Sequence, residues 1–372
     1  MKEPIDLPFE NFRNYLNEEV TFNLGHAYEF VLAAAMVARF TDRFDDGTPQ
    51  PLTRDAVEDV MLKYFGGYRA WEVEEGDGLD VIEFDGTGLP PEVLSALSNP
   101  SVRRTKEVQT LVTTAIEAVN KNGTLKKLSD DVITNGKPDV VDVVCGGTSG
   151  QMKTKSDVDV FVNGRENRKA GFSVKYGGVK QVGQFAGSDA VKNMQLGFKS
   201  FGMDVNSMLG DLKKAVANIV GVYQSRTDPI IAKDKQIIFS AVSPVFTKIS
   251  KKYGGNWLNK ENNIKALTNG LLVAARGREE DLEIIKSGFS FDKKTFEALS
   301  RGLLETSKTG DVEWKVMPTG NPTIGLYANN MLVFSIRFRY DADKKREGYT
   351  VRFRLLVELG RDIVSFIDQY RG

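Results

Sequence analysis

The chain has 372 residues, with 50 Lys and Arg against 50 Asp and Glu, one His (His26) and one Cys (Cys145). That inventory cannot build clustered thiolate or imidazole metal sites, which excludes zinc fingers, zinc deaminases, two-His metalloproteases and His-dependent finger nucleases. Any Ser or Cys triad has only His26 as its base, so oxygen-ligand chemistry stays open: hard cations such as Mg²⁺ on carboxylates, or acid–base work by Asp, Glu, Lys and Tyr.

A hydrophobic fraction of 41% with 27% charged residues is that of an ordinary globular protein, and the length predicts two or three structural units. No apolar run approaches the roughly 18 residues of a membrane span. Met1-Lys2-Glu3-Pro4 opens with charge and has no signal-peptide apolar segment, so a cytoplasmic protein with no membrane partner is expected. A lone Cys rules out an intramolecular disulfide and fits a reducing compartment.

The first expected element is a helix through Asn23–Phe40, with Asn23 as its cap and Asp45-Asp46-Gly47, Pro49 and Pro51 ending it. From Ala27 to Ala38 its only charged residue is Glu29, so the helix should be buried. An acidic region follows to about residue 100, with a helix at Arg54–Phe65, a strand pair around Tyr68–Phe84 and a helix at Pro91–Leu97. Its many turn residues read as an insertion or small subdomain. Residues 102–121 have the pattern of an amphipathic helix.

In the centre, the β-branched run Val140–Cys145 predicts a strand, Ser156–Val162 alternates ahead of an Asn163-Gly164 turn, and Gly171–Tyr176 is the next strand. Beyond Gly177-Gly178 the pattern predicts helices at Val179–Phe185, Val191–Phe198 and Met208–Tyr223, then a buried strand at Ile237–Val242. Helices at Asn262–Arg276 and Asp292–Ser307 follow. The chain closes with a hairpin of Asn330–Tyr340 and Tyr349–Val357 around the charged turn Asp341–Gly348, and a terminal helix.

Overall neutrality conceals a polarised layout. Asp45–Glu92 holds thirteen acidic residues against three basic ones, a net of −10, whereas Lys153–Lys252 holds seventeen basic against eight acidic, a net of +9. Arg337–Arg354 adds seven basic against three acidic. A polyanion responds to the local field over one face, so net charge says little about partners. The acidic segment would repel a polyanion and is expected away from a cleft or at a dimer contact.

The stretch from Ser156 to Tyr176 carries the chemistry. Period-2 alternation puts Asp157, Asp159 and Phe161 on one face of their strand, and Ser173 and Lys175 on one face of the partner, which brings Asp157 close to Lys175. A carboxylate that binds Mg²⁺, beside a Lys that steadies hydroxide or developing phosphorane charge, is what phosphodiester hydrolysis needs.

These residues resemble the PD-(D/E)xK nuclease superfamily, which includes many restriction endonucleases. Ser156-Asp157 stands where that pattern has Pro-Asp, and Ser173-Val174-Lys175 stands where it has (Asp/Glu)-x-Lys. The resemblance implies an α/β (α+β) chain with a restriction endonuclease-like core, a central mixed sheet flanked by helices, plus insertions. It also implies Mg²⁺-dependent cleavage of double-stranded DNA, with Mn²⁺ able to substitute, Asp157 and Glu29 as metal ligands, the carbonyl of Val174 as a third, and Lys175 as the catalytic Lys. A Gln soon after the Lys strand matches Gln181 or Gln184, and cutting both strands implies a homodimer.

The departure is Ser173, which replaces the second carboxylate. Glu29 could supply the missing charge, since an unpaired buried carboxylate needs a cation or a proton. The alternatives for Glu29 are an exposed stripe or a pair with Arg39. Asp159 is the alternative ligand to Asp157. Pro138-Asp139, with Lys153 or Lys155 downstream, is a rival motif that lacks a clear second strand, because Gly146–Gly150 reads as a loop. His26 lies one turn before Glu29, with packing or capping as its other role.

There is no Walker A sequence, no helix-opening Gly-x-Gly-x-x-Gly and no nucleophile elbow. A Ser173/Lys175 dyad would make the protein a metal-independent acyl-transfer hydrolase. A third reading is a DNA-binding or assembly protein on a decayed nuclease core. For DNA contact the expected residues are Lys180, Lys192, Arg337, Arg339, Arg352 and Arg354, with Tyr176 a further phosphate candidate; the hairpin's polar face reads as wholly basic. The domain reading is 1–44 as helices of the core, 45–100 as the acidic insertion, 101–260 as the nuclease core with its hairpin, and 261–372 as helices and basic hairpin.

Overall fold

The computed structural model describes residues 22–41, 51–75, 78–134, 139–146, 156–176, 181–223, 232–276, 282–286, 289–318, 320–345 and 348–371. The chain is a mixed α and β protein that divides into two compact units, Met1–Tyr176 and Gly177–Gly372. The division falls inside the 101–260 stretch. Expected features at 45–50, Pro138, Gly147–Gly150, Lys153, Lys155 and Lys180 lie outside the described residues.

In the first unit, helices α1 (Leu24–Thr41), α2 (Arg54–Phe65), α3 (Pro91–Ser98), α4 (Pro100–Arg103), α5 (Lys106–Lys121) and α6 (Gly123–Thr134) accompany a sheet. Its strands are β1 (Ala70–Glu75), β2 (Gly78–Asp85), β3 (Val140–Cys145), β4 (Val158–Val162) and β5 (Arg168–Lys175), ordered as numbered. All neighbours are antiparallel except β2 and β3, which makes the sheet mixed. The acidic segment therefore contributes β1 and β2 to the same sheet as the Asp157–Lys175 hairpin.

Uniform apolarity explains α1. Ala27–Ala38 and Phe40 are all buried, Glu29 included, and the helix packs against α2, α5 and strands β2 and β3. Phe30 meets the rings of Tyr64 and Phe84 at centroid distances of 5.0 and 5.1 Å. Each fully buried side chain of this size contributes about 1.5–3 kcal/mol, so the packing that surrounds Glu29 is a large part of what holds the unit together. Helix α5 starts at 106 rather than 102, capped by Thr105, and buries Val108, Leu111, Val112, Ala115 and Val119 at helical spacing.

The second unit begins with β6 (Gln181–Gly187) and continues through α7 (Ala190–Ser200), α8 (Gly210–Tyr223), α9 (Ala232–Lys252) and α10 (Glu261–Arg276). Next come β7 (Leu282–Lys286), β8 (Phe289–Phe291), α11 (Lys293–Lys308), β9 (Val312–Val316), β10 (Thr323–Ala328), β11 (Met331–Lys345), β12 (Gly348–Leu359) and α12 (Ile363–Asp368). An antiparallel sheet runs β6-β12-β11-β10-β9, and β7 pairs with β8 as a hairpin.

Two sequence expectations are corrected here. Gln181–Gly187 is a strand rather than the end of a helix, because β12 supplies its ladder from more than 160 residues away. Gly183 lies against α10 so closely that an added Cβ would sit 2.2 Å from the Ala274 carbonyl oxygen. Ile237–Val242 is helix rather than strand: Ile238, Val242, Val245, Phe246 and Ile249 are buried at helical spacing while Ile237 is exposed. The closing hairpin is also longer than expected, with β11 extending to Lys345 and β12 starting at Gly348.

Candidate active site

The Asn163-Gly164 turn sets the register of the hairpin. Both residues have positive φ, 58° and 115°, which suits Asn and Gly in a tight turn. The Asn163 side chain accepts from the Val140 N–H at 2.9 Å and donates to Asp139 Oδ1 at 2.5 Å, so the turn is fastened to β3. With Val158 opposite Phe172, Asp157 comes beside the end of β5.

Asp157 Oδ2 accepts from the Val174 N–H at 2.6 Å, Lys175 Nζ at 3.2 Å and Ser173 Oγ at 3.4 Å. Lys175 Nζ also donates to Ser173 Oγ at 2.8 Å and to the Val174 carbonyl at 3.0 Å. All three ammonium donors thus have acceptors within the hairpin. The juxtaposition of Asp157 with Ser173 and Lys175 read from the period-2 pattern is what the structure has.

Asp159 sits on the same side of β4 but in a separate cluster. Its Oδ1 accepts from Arg168 Nη1 at 3.1 Å and its Oδ2 from Ser156 Oγ at 2.8 Å. Gly171, directly opposite Asp159, makes room: an added Cβ would come within 3.0 Å of both Asp159 Oδ1 and Arg168 Nη1. Of the two aspartates, Asp159 is held by Arg168, and Asp157 is the one that meets the Lys. Arg168 and Ser156 were missed as Asp159's partners, because a bulge between Val160 and Phe161 shifts the register and brings Arg168 across.

The rival Asp139 lies at the opposite end of β3, where it anchors Asn163 and its N–H donates to Asp80 Oδ1 at 2.7 Å. Six residues of strand, about 20 Å, separate it from the Asp157 end, where Cys145 pairs with Val158.

Glu29 completes the cluster from α1. It is 6% exposed, and its Oε2 has no hydrogen-bond partner among the described residues. Burial, with the Asp157 carboxylate adding to it and Lys175 opposing, raises its pKa from 4.5 to about 8. The exposed-stripe alternative for Glu29 is thereby excluded. Cys145 fixes the helix here, its fully buried thiol donating to the Glu29 carbonyl at 3.7 Å. Burial and the surrounding carboxylates push that thiol well above its ordinary pKa, so it stays neutral.

Compared with protein-family models, curated proteins and solved structures, the chain has no match.

Among the described residues no three His, Cys, Asp or Glu side chains gather as a metal-holding group, so a cation here would rest on two carboxylates and a carbonyl. The donors fit a hard cation in kind: Glu29 Oε2 is buried and unpaired, Asp157 faces it electrostatically, and the Val174 carbonyl adds a neutral oxygen. In the structure that carbonyl is taken by Lys175.

The remaining expected residues lie on several elements. Gln184 lies in β6 opposite Leu356, and Gln181 opposite Glu358. His26 is half-buried one turn from Glu29, with Nδ1 unpartnered among the described residues. Tyr176 packs against Tyr28 with ring centroids 5.1 Å apart and planes tilted by 43°. Lys192 is exposed on α7.

The hairpin's polar face is not wholly basic. Arg337 pairs with Glu358 across the β11–β12 ladder. Arg339 and Arg354 both reach Asp341, at 2.8 and 3.3 Å, and Arg352 is exposed. Cross-strand acids at 341 and 358 were present in the sequence, but pairing them with these arginines needs the register.

Proposed function

We propose that the first unit carries a Mg²⁺-dependent DNA endonuclease site on a restriction endonuclease-like core, of the type II restriction kind. The observation that carries this reading is the convergence of Glu29, Asp157 and Lys175, a buried unpaired carboxylate beside a carboxylate–lysine pair. Glu29, Asp157 and the Val174 carbonyl would hold Mg²⁺, or Mn²⁺ in its place. The ion, when bound, would polarise the scissile phosphoryl group and lower the pKa of water.

The chain's own residues do the rest. Asp157 holds Lys175 in place through an ion pair of 3.2 Å. Lys175, one quarter exposed, presents positive charge to the developing phosphorane. Ser173 fills the place of the second acid and orients Lys175 by accepting a hydrogen bond from its Nζ at 2.8 Å. The Ser-Lys hydrolase reading needs Lys175 as the base for Ser173, whereas here Lys175 is ion-paired with Asp157. DNA is the substrate of this reading, a homodimer its means of cutting both strands, and the cytoplasm its setting. The hairpin arginines, largely paired with Glu358 and Asp341, are secondary DNA contacts.

A second reading, a DNA-binding protein on a nuclease core that has lost catalysis, is favoured by Ser173, which leaves two carboxylates where a divalent ion prefers more. Plasmid and phage DNA, modified and unmodified, incubated with Mg²⁺, Mn²⁺ or chelator, tests both. Metal-dependent cleavage lost in Lys175→Ala is expected. Cleavage that persists in Lys175→Ala removes the site assignment, and DNA binding without cleavage of any substrate moves the conclusion to the second reading.

A further inference from the structure

Ser156, the residue before Asp157, stands where the nuclease pattern has proline. A proline ring fixes its own φ and stiffens the chain just ahead of the aspartate, whereas serine carries no such constraint. Here side chains supply it. Ser156 is fully buried, and its hydroxyl donates to Asp159 Oδ2 at 2.8 Å. Arg168 Nη1 donates to the same Ser156 Oγ at 3.4 Å and to Asp159 Oδ1 at 3.1 Å. The Arg168 and Asp159 side chains are 17% and 10% exposed, so solvent and salt screen this pair little.

What the cluster holds is the entry to β4, and Asp157 lies in that entry. The Asp157 N–H donates to the Phe172 carbonyl at 2.8 Å and its carbonyl accepts from the Gly146 N–H at 2.9 Å, which places its backbone between β3 and β5. Its side chain must then point past the end of β4 to reach the Val174 N–H at 2.6 Å. The direction of the Asp157 Cα–Cβ bond depends on the peptide plane shared with Ser156, and the contacts to Ser156 Oγ fix the other end of that plane. Sites of this kind work only when held within about 0.5 Å of their productive geometry.

We propose that Ser156, Asp159 and Arg168 form a positioning cluster for Asp157, giving through hydrogen bonds the rigidity that a proline gives in the nuclease pattern. The inference rests on Asp157 being a metal ligand of the site in the first unit, and the three residues act through it. It also gives Asp159 a role distinct from that of its neighbour: one aspartate for the cation, the other for the backbone that presents it.

The test compares Ser156→Ala with wild type and with Val162→Ala, which removes buried side chain from the far end of β4, opposite Val141, as the control for lost stability. Single-amide hydrogen exchange by NMR, in chelator, reads the Val174 N–H that donates to Asp157 Oδ2. In Ser156→Ala that amide should exchange about tenfold faster, over and above any change shared by the β4–β5 ladder, as expected for weakening a hydrogen bond to a charged group. Plasmid cleavage in Mg²⁺ should show kcat lowered by about 10-fold to 100-fold with KM for DNA unchanged, and Val162→Ala should show neither effect. Ser156→Cys, which keeps the shape with a weak donor, should fall between and carries the test should Ser156→Ala not fold, as read from a circular dichroism melt. A Val174 amide that keeps pace with the ladder in Ser156→Ala overturns the proposal. So does the same selective loss in Val162→Ala, or selective loss with an unchanged kcat. A wild-type chain that cleaves no DNA, while Ser156→Ala still frees the Val174 amide, sinks the nuclease reading and leaves the placement of Asp157 by this cluster standing.

Discussion

Glu29→Gln should make the metal-free protein more stable, and the gain should grow with pH. The folded pKa of Glu29 is about 8 against 4.5 for an unperturbed glutamate. Between those values the folded state holds a proton that the unfolded state releases, so the stability contributed by neutral Glu29 is fully present below pH 4.5. It is lost progressively as pH rises, and the loss levels off above pH 8. At about 1.4 kcal/mol per pH unit the whole window corresponds to a few kcal/mol. Glutamine keeps the shape and never ionises, so the difference between variant and wild type should rise through that window.

Hydrogen exchange of the amides in β3, β4 and β5, converted to opening free energies at a series of pH values in chelator, reads this in the first unit alone. Added Mg²⁺ should reverse the trend for wild type, by about 2.7 kcal/mol at one hundred times its Kd, and have little effect on Glu29→Gln. A slope in Glu29→Gln equal to that of wild type would falsify the burial argument. Equal stabilisation of both by Mg²⁺ would remove Glu29 as a ligand.

Lys175→Met should abolish cleavage and destabilise the first unit by about 2–4 kcal/mol, because Asp157 is left buried without its cation; urea unfolding monitored with plasmid cleavage checks both. Gly171→Ala should push the Arg168–Asp159 pair apart and cost about 1–3 kcal/mol, measured as a lowered melting temperature, with DNA affinity unchanged. Gly183→Ala puts a Cβ 2.2 Å from backbone of α10 and should disrupt the second unit, seen as lost protection of β6 and β12 amides. Arg337→Ala frees Glu358 on a part-exposed sheet face and should change stability by no more than about 1 kcal/mol, read from a urea unfolding curve.

What the sequence could disclose depended on the range of the interaction responsible. Helix α1 was legible because twelve residues with one charge leave a helix nowhere to go but the interior. The Asp157–Lys175 hairpin was legible because strand period and an Asn-Gly turn are local rules. β6 and α9 were misread for opposite reasons. In β6 a strand was made by a partner from the far end of the chain, and in α9 the short run Ile237–Val242 was overruled by burial at helical spacing from Ile238 to Ile249.

The choice between Asp157 and Asp159 shows the limit most clearly. Both face the same way on one strand, so no periodicity separates them. What does is the one-residue bulge at Val160, which sends Arg168 to Asp159, and the absence of a Cβ at Gly171, which lets the guanidinium lie there. With Asp159 held by that cation, Asp157 is left facing Lys175, and Glu29 descends from the helix above without a partner for Oε2. Asp159 has a partner for each of its oxygens, whereas Glu29 Oε2 has none among the described residues, and the cation of the proposed function would supply that partner.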